Sequence, residues 1–501
     1  MKRKLLACIT SILLAALAAP ALVAAQQAPR YRLIDLGTFG GPASYLANKF
    51  DGILNNHGTV VGWANTTTAD PICFAANCLA THAFRAKNGN LTDLGALPGG
   101  DVSQALWISE NGLIVGFSEN GESDPLVDGF PEVRGVLWQR GKIIDLGTLP
   151  EGGFESLANA VNSRGQVVGL ALNTVPDDCS FFVATQQRAF LWQKGAMQDL
   201  GTLGGPDANA ELINDGGQIA GISYTDSINP ATGCPTLHPF LWQNGSMRDL
   251  GTLGGTFADV RSLNQLGQIV GYSNLTGDLT FHPFLWNKRK LIDLGTLGGD
   301  TGEPNWINDR GDIVGKADLP GPAPQLHDAV LWRNGKTIDL GVLPEDSCSN
   351  AYFVNSHGQV VGTSENQYLC SIFVGQHAFL WQHGGPMVDL NTLIAPGASL
   401  DLTYAVAIND EGEIAGFGVP PDCAPEDYEL CGHAYLLIPC GVGEECTNSA
   451  LAVSENVPAI SSAYILRGTG STTGTTNSLA RWRKQLRQRF LCPVRRMSPS
   501  D

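Results

Sequence analysis

Apolar residues in this chain fall in short runs that alternate with turns rich in Gly, Asn and Asp. Residues 208–251 show the pattern in full, with four predicted strands at Ala210–Ile213, Gln218–Ile222, His238–Trp242 and Ser246–Leu250. Asn244-Gly245, between the last two strands, is a strong signal for a two-residue hairpin turn. Four short strands joined in this way predict one four-stranded antiparallel sheet.

The same pattern occurs eight times. Each copy has an Asp-Leu followed by Gly or Asn, and these aspartates are Asp35, Asp93, Asp145, Asp199, Asp249, Asp293, Asp339 and Asp389. A repeat of roughly 50 residues is typical of a propeller blade or of a solenoid. The ends of the array favour the propeller, because Tyr31–Leu36 is a fourth strand with no sheet before it and the last copy, which ends at Leu437, lacks one. Ring closure would remove both free edges. We therefore predict an all-β fold, an eight-bladed β-propeller of four-stranded antiparallel blades that is closed by the N-terminal strand.

The sequence outside the repeats predicts further segments. Residues 1–25 have the basic start, apolar run and small-residue end of a secretory signal peptide, so we expect cleavage before Gln26. The propeller then occupies residues 26–440, and a Cys-bearing extension with a flexible Gly/Ser/Thr linker occupies 441–477. Residues 478–501 form a basic tail. The protein is therefore expected to be secreted, or to lie in the periplasm or on the cell surface.

The basic tail is a candidate amphipathic helix. Leu479, Trp482, Leu486 and Phe490 share one helical face, and mostly arginine and lysine fill the rest. Such a helix is typical of peripheral contact with a membrane or a partner, and a solvated, disordered tail is the alternative. The chain as a whole carries a net charge of −17. That charge argues against nucleic acid as a partner and favours cations or basic partners, although solubility alone would also explain it.

The repeat resembles a known family. His377-Ala378-Phe379-Leu380-Trp381 with Asp389-Leu390, and the element Gly267-Gln268-Ile269-Val270-Gly271, resemble the HAF-type extracellular repeat proteins of bacteria. The resemblance covers about residues 31–440, and it departs from the pattern at Arg134, Arg188 and Asn391. It implies an exported repeat protein and supplies no catalytic residues.

Three polar residue types recur in most copies. An Asn begins the turn after the first strand, as at Asn162, Asn214, Asn264, Asn308, Asn355 and Asn409, and a His begins the third strand, at His82, His238, His282, His327, His377 and His433. We expect the asparagines to stabilise turns, the repeated aspartates to accept main-chain N–H bonds, and the histidines to be structural. One carboxylate per copy is too few for calcium. No cofactor or metal site is predicted, and the familiar catalytic motifs are absent from the sequence.

Cysteines concentrate in the loops that join the second strand of a copy to its third. An exported protein can form disulfides, and the order of the loops favours the pairs Cys73–Cys78, Cys179–Cys234, Cys348–Cys370, Cys423–Cys431 and Cys440–Cys446. Cys492 is left over. Stapled loops on one face predict a recognition surface.

A second candidate site lies in the first strands, which should line the central channel. Two positions in each first strand vary between copies, and in the fourth to seventh copies they are polar: Asn209, Glu211, Asp259, Arg261, Glu303, Asn305, Asn350 and Tyr352. These residues are candidate ligand-binding residues, and a water-filled channel lining is the alternative.

We therefore expect an exported, non-enzymatic propeller that binds an extracellular glycan or protein through its stapled loops. The alternative is an extracellular carbohydrate-active hydrolase or lyase that uses channel-mouth carboxylates such as Glu211, Asp259 and Glu303, because paired carboxylates can perform acid–base chemistry on glycosides.

Overall fold

The computed structural model describes residues 31–441 and residue 446, except 48–51, 73–76, 126–129, 151, 181–184, 323–325, 367–374 and 425–427. The predicted signal peptide, the linker and the basic tail lie outside this part of the chain. The fold is all-β, and within the described residues helix is limited to one 3-10 turn, Leu390–Leu393, and one short α-helix, α1, Tyr428–Cys431. None of the helices described could span a membrane.

Thirty-two strands follow one another within the described residues. The first, β1, is Tyr31–Asp35. The others form seven units of four and a final unit of three, which in chain order are β2 Ser44–Tyr45, β3 Thr59–Ala69, β4 Leu79–Lys87, β5 Asn90–Asp93; β6 Ser103–Ile108, β7 Ile114–Ser123, β8 Pro131–Gln139, β9 Lys142–Asp145; β10 Ser156–Val161, β11 Val167–Pro176, β12 Thr185–Gln193, β13 Ala196–Asp199; β14 Gly204–Ile213, β15 Ile219–Ile228, β16 Pro235–Gln243, β17 Ser246–Asp249; β18 Gly254–Leu263, β19 Ile269–Leu275, β20 Phe281–Asn287, β21 Lys290–Asp293; β22 Gly302–Ile307, β23 Ile313–Asp318, β24 His327–Arg333, β25 Lys336–Gly341; β26 Cys348–Val354, β27 Val360–Glu365, β28 Gln376–Trp381, β29 Val388–Asp389; and β30 Asp401–Ile408, β31 Ile414–Val419, β32 His433–Pro439.

Each unit is an antiparallel meander in which every strand pairs with the next. The three-stranded last unit takes its fourth strand from the start of the chain, since β1 pairs antiparallel with β32 from Tyr31↔Pro439 to Asp35↔Tyr435. The sheets of units four and five are also joined by one parallel bridge between Leu237 and Phe257. Four-stranded antiparallel sheets are thus the building block that the sequence pattern predicted.

A glycine in each second strand is required by close packing on the first strand. At Gly221, a Cβ atom would lie 2.0 Å from the carbonyl oxygen of Asn209 and 2.9 Å from the ring of Phe240. The corresponding Cβ on Gly271 would lie 1.9 Å from the carbonyl oxygen of Asp259. No side chain fits there, which explains why this glycine recurs in the repeated element.

The hydrophobic core lies between neighbouring sheets. One cluster combines Ala160 and Leu191 of the third unit with Ala210 and Ile213 of the fourth. Another cluster joins the two ends of the array, because it contains residues of the first unit, such as Val60, together with residues of the last unit such as Leu436. Burial of apolar side chains between sheets is therefore the main force that holds each unit on the next.

The turn asparagines connect the units. Their Oδ1 atoms accept N–H groups of their own turns, as expected; for example, Asn264 accepts from Gln268 at 2.9 Å. Their Nδ2 atoms also donate to the main chain of the next unit, which the sequence did not predict. The donors and acceptors are Asn55 to Ser109, Asn162 to Asn214, Asn214 to Asn264, Asn264 to Asn308, Asn308 to Asn355, Asn355 to Asn409, and Asn409 to Asn55, at 2.9–3.2 Å. The last of these bonds joins the final unit to the first.

The repeated Asp and His residues fix the outer strands. Oδ1 of each Asp accepts the main-chain N–H two residues later, as predicted, for example from Gly251 to Asp249 at 2.7 Å. Four histidines also pair through Nδ1 with the Asp of the fourth strand of their own sheet, at 2.9–3.0 Å: His82, His238, His282 and His433.

His327 begins the third strand of the sixth unit, as predicted, but it does not take the position of the paired histidines. Gly315 pairs with Val330 in the sixth unit, as Gly271 pairs with Phe284 in the fifth. This register places Asp328, rather than His327, at the position that the paired histidines occupy elsewhere.

Candidate functional site

The loops after the second and fourth strands of each unit emerge at one end of its meander, and the tight turns emerge at the other. We call these ends the loop face and the turn face. The loop face carries the long connections and the disulfides Cys179–Cys234 and Cys423–Cys431, whereas the Asn turns that link the units lie on the turn face.

The first strands that carry the candidate residues share an irregularity in their pairing. In units four to seven the pairing of first and second strands skips one residue, and the skipped residues are Glu211, Arg261, Asn305 and Tyr352. Each is therefore the extra residue of a β-bulge. Bulges turn a side chain away from its regular direction and are common beside functional sites.

We call the eight candidate residues of the first strands the polar arc. Several of them are hydrogen-bonded between neighbouring first strands. Asn305 Nδ2 donates to Asn350 Oδ1 at 2.7 Å and to the carbonyl oxygen of Ala351. Asn159 Nδ2 contacts Asn209 Oδ1 at 2.9 Å in the same way. Asn209 is 1% exposed and Asn305 is fully buried, so these amides are buried where adjacent units meet.

The charged part of the arc centres on Arg261. Its guanidinium lies 3.0 Å from Oδ2 of the buried Asp259 and 4.7 Å from the ring centroid of Tyr272. Burial by itself lowers the pKa of Arg261, but the negative charge of Asp259, and then those of Tyr272, Glu303 and Glu211, outweigh it and raise that pKa above its usual value. Asp259 thus forms an ion pair with Arg261. The charges of Glu211 and Glu303 act on the same arginine.

Tyr352 connects the arc to a cavity. Burial raises the pKa of Tyr352 well above its ordinary value, and its ring stacks on Tyr404 with centroids 6.3 Å apart. Tyr404 lines a cavity of about 500 Å³ on the loop face, between the sheets of the last two units. A cavity of this size is typical of a small-molecule site.

The cavity walls come from three segments. The connection from Asn391 to Asp401 forms one side, the start of β28 forms a second, and the loop after β31 with Pro420, Pro421 and Cys423 forms the third. Cys423 is joined to Cys431 by a disulfide. The walls therefore combine apolar side chains with a few polar groups. The wall formed by the loop after β31 is held by a disulfide.

His377 is the polar residue that distinguishes this cavity. In contrast to the four histidines paired within their own sheets, His377 Nδ1 lies 3.2 Å from Oδ2 of Asp346, whose side chain is 1% exposed. Asp389, the aspartate that would pair with His377 in the repeat pattern, keeps the usual bond from Asn391 N at 2.8 Å and also accepts from Asn391 Nδ2 at 3.1 Å. The imidazole is consequently held at the cavity wall, where Asp401 supplies the lining carboxylate. Burial and the charge of Asp389 raise the pKa of Asp401, although His377 opposes the shift.

The departure at Asn391 now has a physical reason. Its side chain accepts from Leu402 N at 2.8 Å and donates to Leu402 O at 3.1 Å. Asn391 thereby attaches the end of unit seven to the first strand of unit eight and fixes the cavity wall. Asn391 is the departure from the repeat that the sequence shows here, whereas the sequence does not single out Asp346, because Asp300 stands at the same distance from Asp293.

Three disulfides are present among the described residues: Cys179–Cys234, Cys423–Cys431 and Cys440–Cys446. All three are pairs that the loop positions favour. Cys78 and Cys348 are also disulfide-bonded, whereas Cys73, Cys370 and Cys492 lie outside the described residues. Cys179–Cys234 joins the loops of two consecutive units. Disulfides of this kind point to an oxidising compartment outside the cytoplasm.

No protein-family model and no curated protein matches this chain. Among solved structures, the β-propeller domain of the Trilobed protease from Pyrococcus furiosus is similar at 10% identity, with a TM-score of 0.40 over 72% of this chain and 98% of that chain. The Pyrococcus horikoshii acylaminoacyl peptidase is similar at 10% identity, with a TM-score of 0.41 over 75% of this chain and 58% of that chain. An ulvan lyase, a polysaccharide lyase, is similar at 10% identity, with a TM-score of 0.35 over 72% and 98%. With TM-scores this low, the similarities carry no conclusion about what this chain does.

Proposed function

We propose that this chain is an exported, non-enzymatic binding protein and that the cavity between its last two units recognises a neutral saccharide. The observation that carries the proposal is the placement of His377. A residue type that serves the outer strands in four other units is diverted here to a cavity wall, and a buried carboxylate holds it there.

The chemistry of the cavity selects the class of ligand. Asp401 offers carboxylate acceptors and the imidazole of His377 offers a ring nitrogen, while Tyr404 and the prolines supply flat apolar surface. Hydroxyl groups on an otherwise apolar ring match this combination. An anionic sugar would meet the negative charge of Asp401 beside Asp389, so a neutral saccharide fits better.

A ring architecture supports this role. We propose eight blades around a central channel, closed by β1 as the outer strand of the last blade. The pairing of β1 with β32 and the bond from Asn409 to Asn55 support closure, and a rigid ring would hold the loop-face cavity open. The family resemblance to HAF-type extracellular repeat proteins and export through the predicted signal peptide are parts of the same proposal.

Binding on the loop face also depends on the disulfides that hold its loops in place. The disulfide Cys423–Cys431 fixes a loop that lines the cavity, and Cys179–Cys234 fixes loops elsewhere on the same face. Fixed loops lose less conformational freedom on binding, which favours affinity.

Catalysis by the arc carboxylates is the less favoured function. Asp259 is buried and ion-paired with Arg261, so it is poorly placed to act as an acid, base or nucleophile on a substrate. Binding at the cavity requires none of these roles.

A glycan array followed by calorimetry tests the proposal on the mature chain. We expect a neutral oligosaccharide to bind, His377→Ala to lose at least about ten-fold in affinity, and His282→Ala to bind like the wild type. His282 is a matched control because it occupies the same repeat position and pairs within its own sheet.

Two results would overturn the proposal. Equal affinities for His377→Ala and the wild type would exclude the cavity as the site. Release of new reducing ends or of unsaturated sugar would replace binding with catalysis.

A further inference from the structure

A second surface on the loop face has properties of its own. Among the described residues, five of the seven exposed large apolar side chains lie in, or lead into, connections between second and third strands; they are Val175, Ile228, Leu279, Leu326 and Leu430. Val175, Ile228 and Leu279 belong to the consecutive units three, four and five, and are 47%, 58% and 89% exposed. We call these three residues the apolar patch.

The loops under the apolar patch are tied to one another. Cys179–Cys234 joins the loop of Val175 to that of Ile228. Asn229, next to Ile228, donates to Thr256 Oγ1 at 2.8 Å, and Thr256 N donates to Asp278 Oδ1 at 2.7 Å. Asp278 directly precedes Leu279. The patch is therefore held by a disulfide and a hydrogen-bonded chain, so its side chains are exposed on a preorganised surface.

The charged residues in the loops that carry the apolar patch are all acidic. The three connecting segments, residues 173–186, 226–236 and 275–280, contain no Lys or Arg. Asp178 and Asp226 are exposed within them. A partner that covers this surface should consequently combine apolar side chains with positive charge.

The chain itself contains a segment with that combination. Residues 478–501 include seven Arg and Lys residues and one acidic residue, and Trp482, Leu486 and Phe490 lie at helical spacing. The described chain leaves the last sheet at Pro439, beside Gly412 on the turn face. Because the disulfide Cys440–Cys446 closes the start of the predicted linker, residues 447–477 form the free tether and can extend to about 100 Å, whereas a ten-residue strand measures about 33 Å. The tether is thus long enough to carry the tail from the turn face to the loop face.

We propose that the apolar patch is the docking surface for residues 478–501 of the same molecule. The apolar face of the tail covers Val175, Ile228 and Leu279, and its basic residues face Asp178 and Asp226. Because the tail is tethered, its effective concentration at the patch is on the order of millimolar, and binding is favoured over a separate copy at low protein concentration.

Hydrogen-exchange mass spectrometry of the full mature chain at sub-micromolar concentration tests the docking. We compare the wild type with Ile228→Ser/Leu279→Ser and with Leu266→Ser. Leu266 is a matched control because it is 70% exposed but lies on the turn face. Thermal melting should be similar in all three proteins, since the replaced side chains are exposed.

We expect amides of residues 478–501 to exchange at least about five-fold more slowly in the wild type and in Leu266→Ser than in the double variant. Raising salt to 1 M should remove most of that difference, because the Debye length falls to about 3 Å. Equal exchange in the wild type and the double variant would overturn the proposal. So would protection that disappears on dilution, which would indicate a second copy, or protection that requires anionic vesicles, which would indicate a membrane.

Discussion

Replacing Asn409 with Ala tests whether the contact between the two ends of the array contributes to stability. Asn409 Nδ2 donates to Asn55 O at 3.2 Å and to Glu413 Oε2 at 2.6 Å, and Oδ1 accepts from Glu413 N at 2.8 Å. Asn264 makes the equivalent bonds inside the array, to Asn308 O and with Gln268. Asn264→Ala is therefore the matched control for a position remote from the ends.

The expected cost follows from the groups that lose their partners. A typical hydrogen bond contributes about 0.5–1.5 kcal/mol net, and a buried group left without a partner costs about 1–3 kcal/mol. Both asparagines are buried, so we expect the free energy of unfolding to fall by about 2–4 kcal/mol in either variant. For a folded body of roughly 400 residues, about 3 kcal/mol lowers Tm by about 3–4 °C.

Calorimetric melting of both variants at the same pH and protein concentration provides the measurement. In a closed ring the terminal contact is equivalent to an internal one, so the two variants should lose similar stability. If Asn409→Ala lowers Tm by less than about a third of the Asn264→Ala effect, the two ends separate easily and the closed ring is refuted.

Three further predictions concern the repeat itself. Gly221→Ala should cost about 3 kcal/mol or more in chemical denaturation, because its Cβ would lie 2.0 Å from Asn209 O. The control Gly321→Ala should cost little, because a Cβ there would meet no described atom within 4 Å, and similar losses in the two variants would contradict the packing argument. Burial, followed by the charge of Asp339, raises the pKa of Asp328 to about 7, so the fold loses stability as the pH rises from about 4 to about 7 and carries the full penalty above that. Asp328→His should consequently raise stability at pH 8 by about 1–2 kcal/mol after allowance for solvent screening, and a gain that is larger at pH 4 would contradict this reasoning. Peptide mapping without reduction should recover Cys179 with Cys234 and Cys348 with Cys370, and a different partner for Cys348 would reject the second pair.

The repeat pattern was sufficient to predict the local structure. Alternating apolar runs and Asn-Gly turns give strands and hairpins because these preferences act over a few residues. The strand predicted at His238–Trp242 lies inside the longer β16, Pro235–Gln243, and the one predicted at Ser246–Leu250 matches β17, Ser246–Asp249, to within one residue. The orphan strand Tyr31–Leu36 identified its partner through the missing strand in the last copy, and β1 does pair with β32. Loop order also favoured the disulfide Cys179–Cys234.

Which polar residues are buried between units and which line the cavity depends on tertiary structure. Asn305 and Asp259 varied like site residues in the sequence, yet both are buried, because bulges and contacts between neighbouring first strands give them partners. His377 looked structural because its sequence position matches that of the paired histidines. Its contact with Asp346, which lies 31 residues away in the chain, depends on how a loop of unit seven packs, and local sequence preferences do not encode that packing. The repeated sequence thus determines the sheet of each unit. The residues whose contacts differ from the repeat acquire those contacts only when the units pack together.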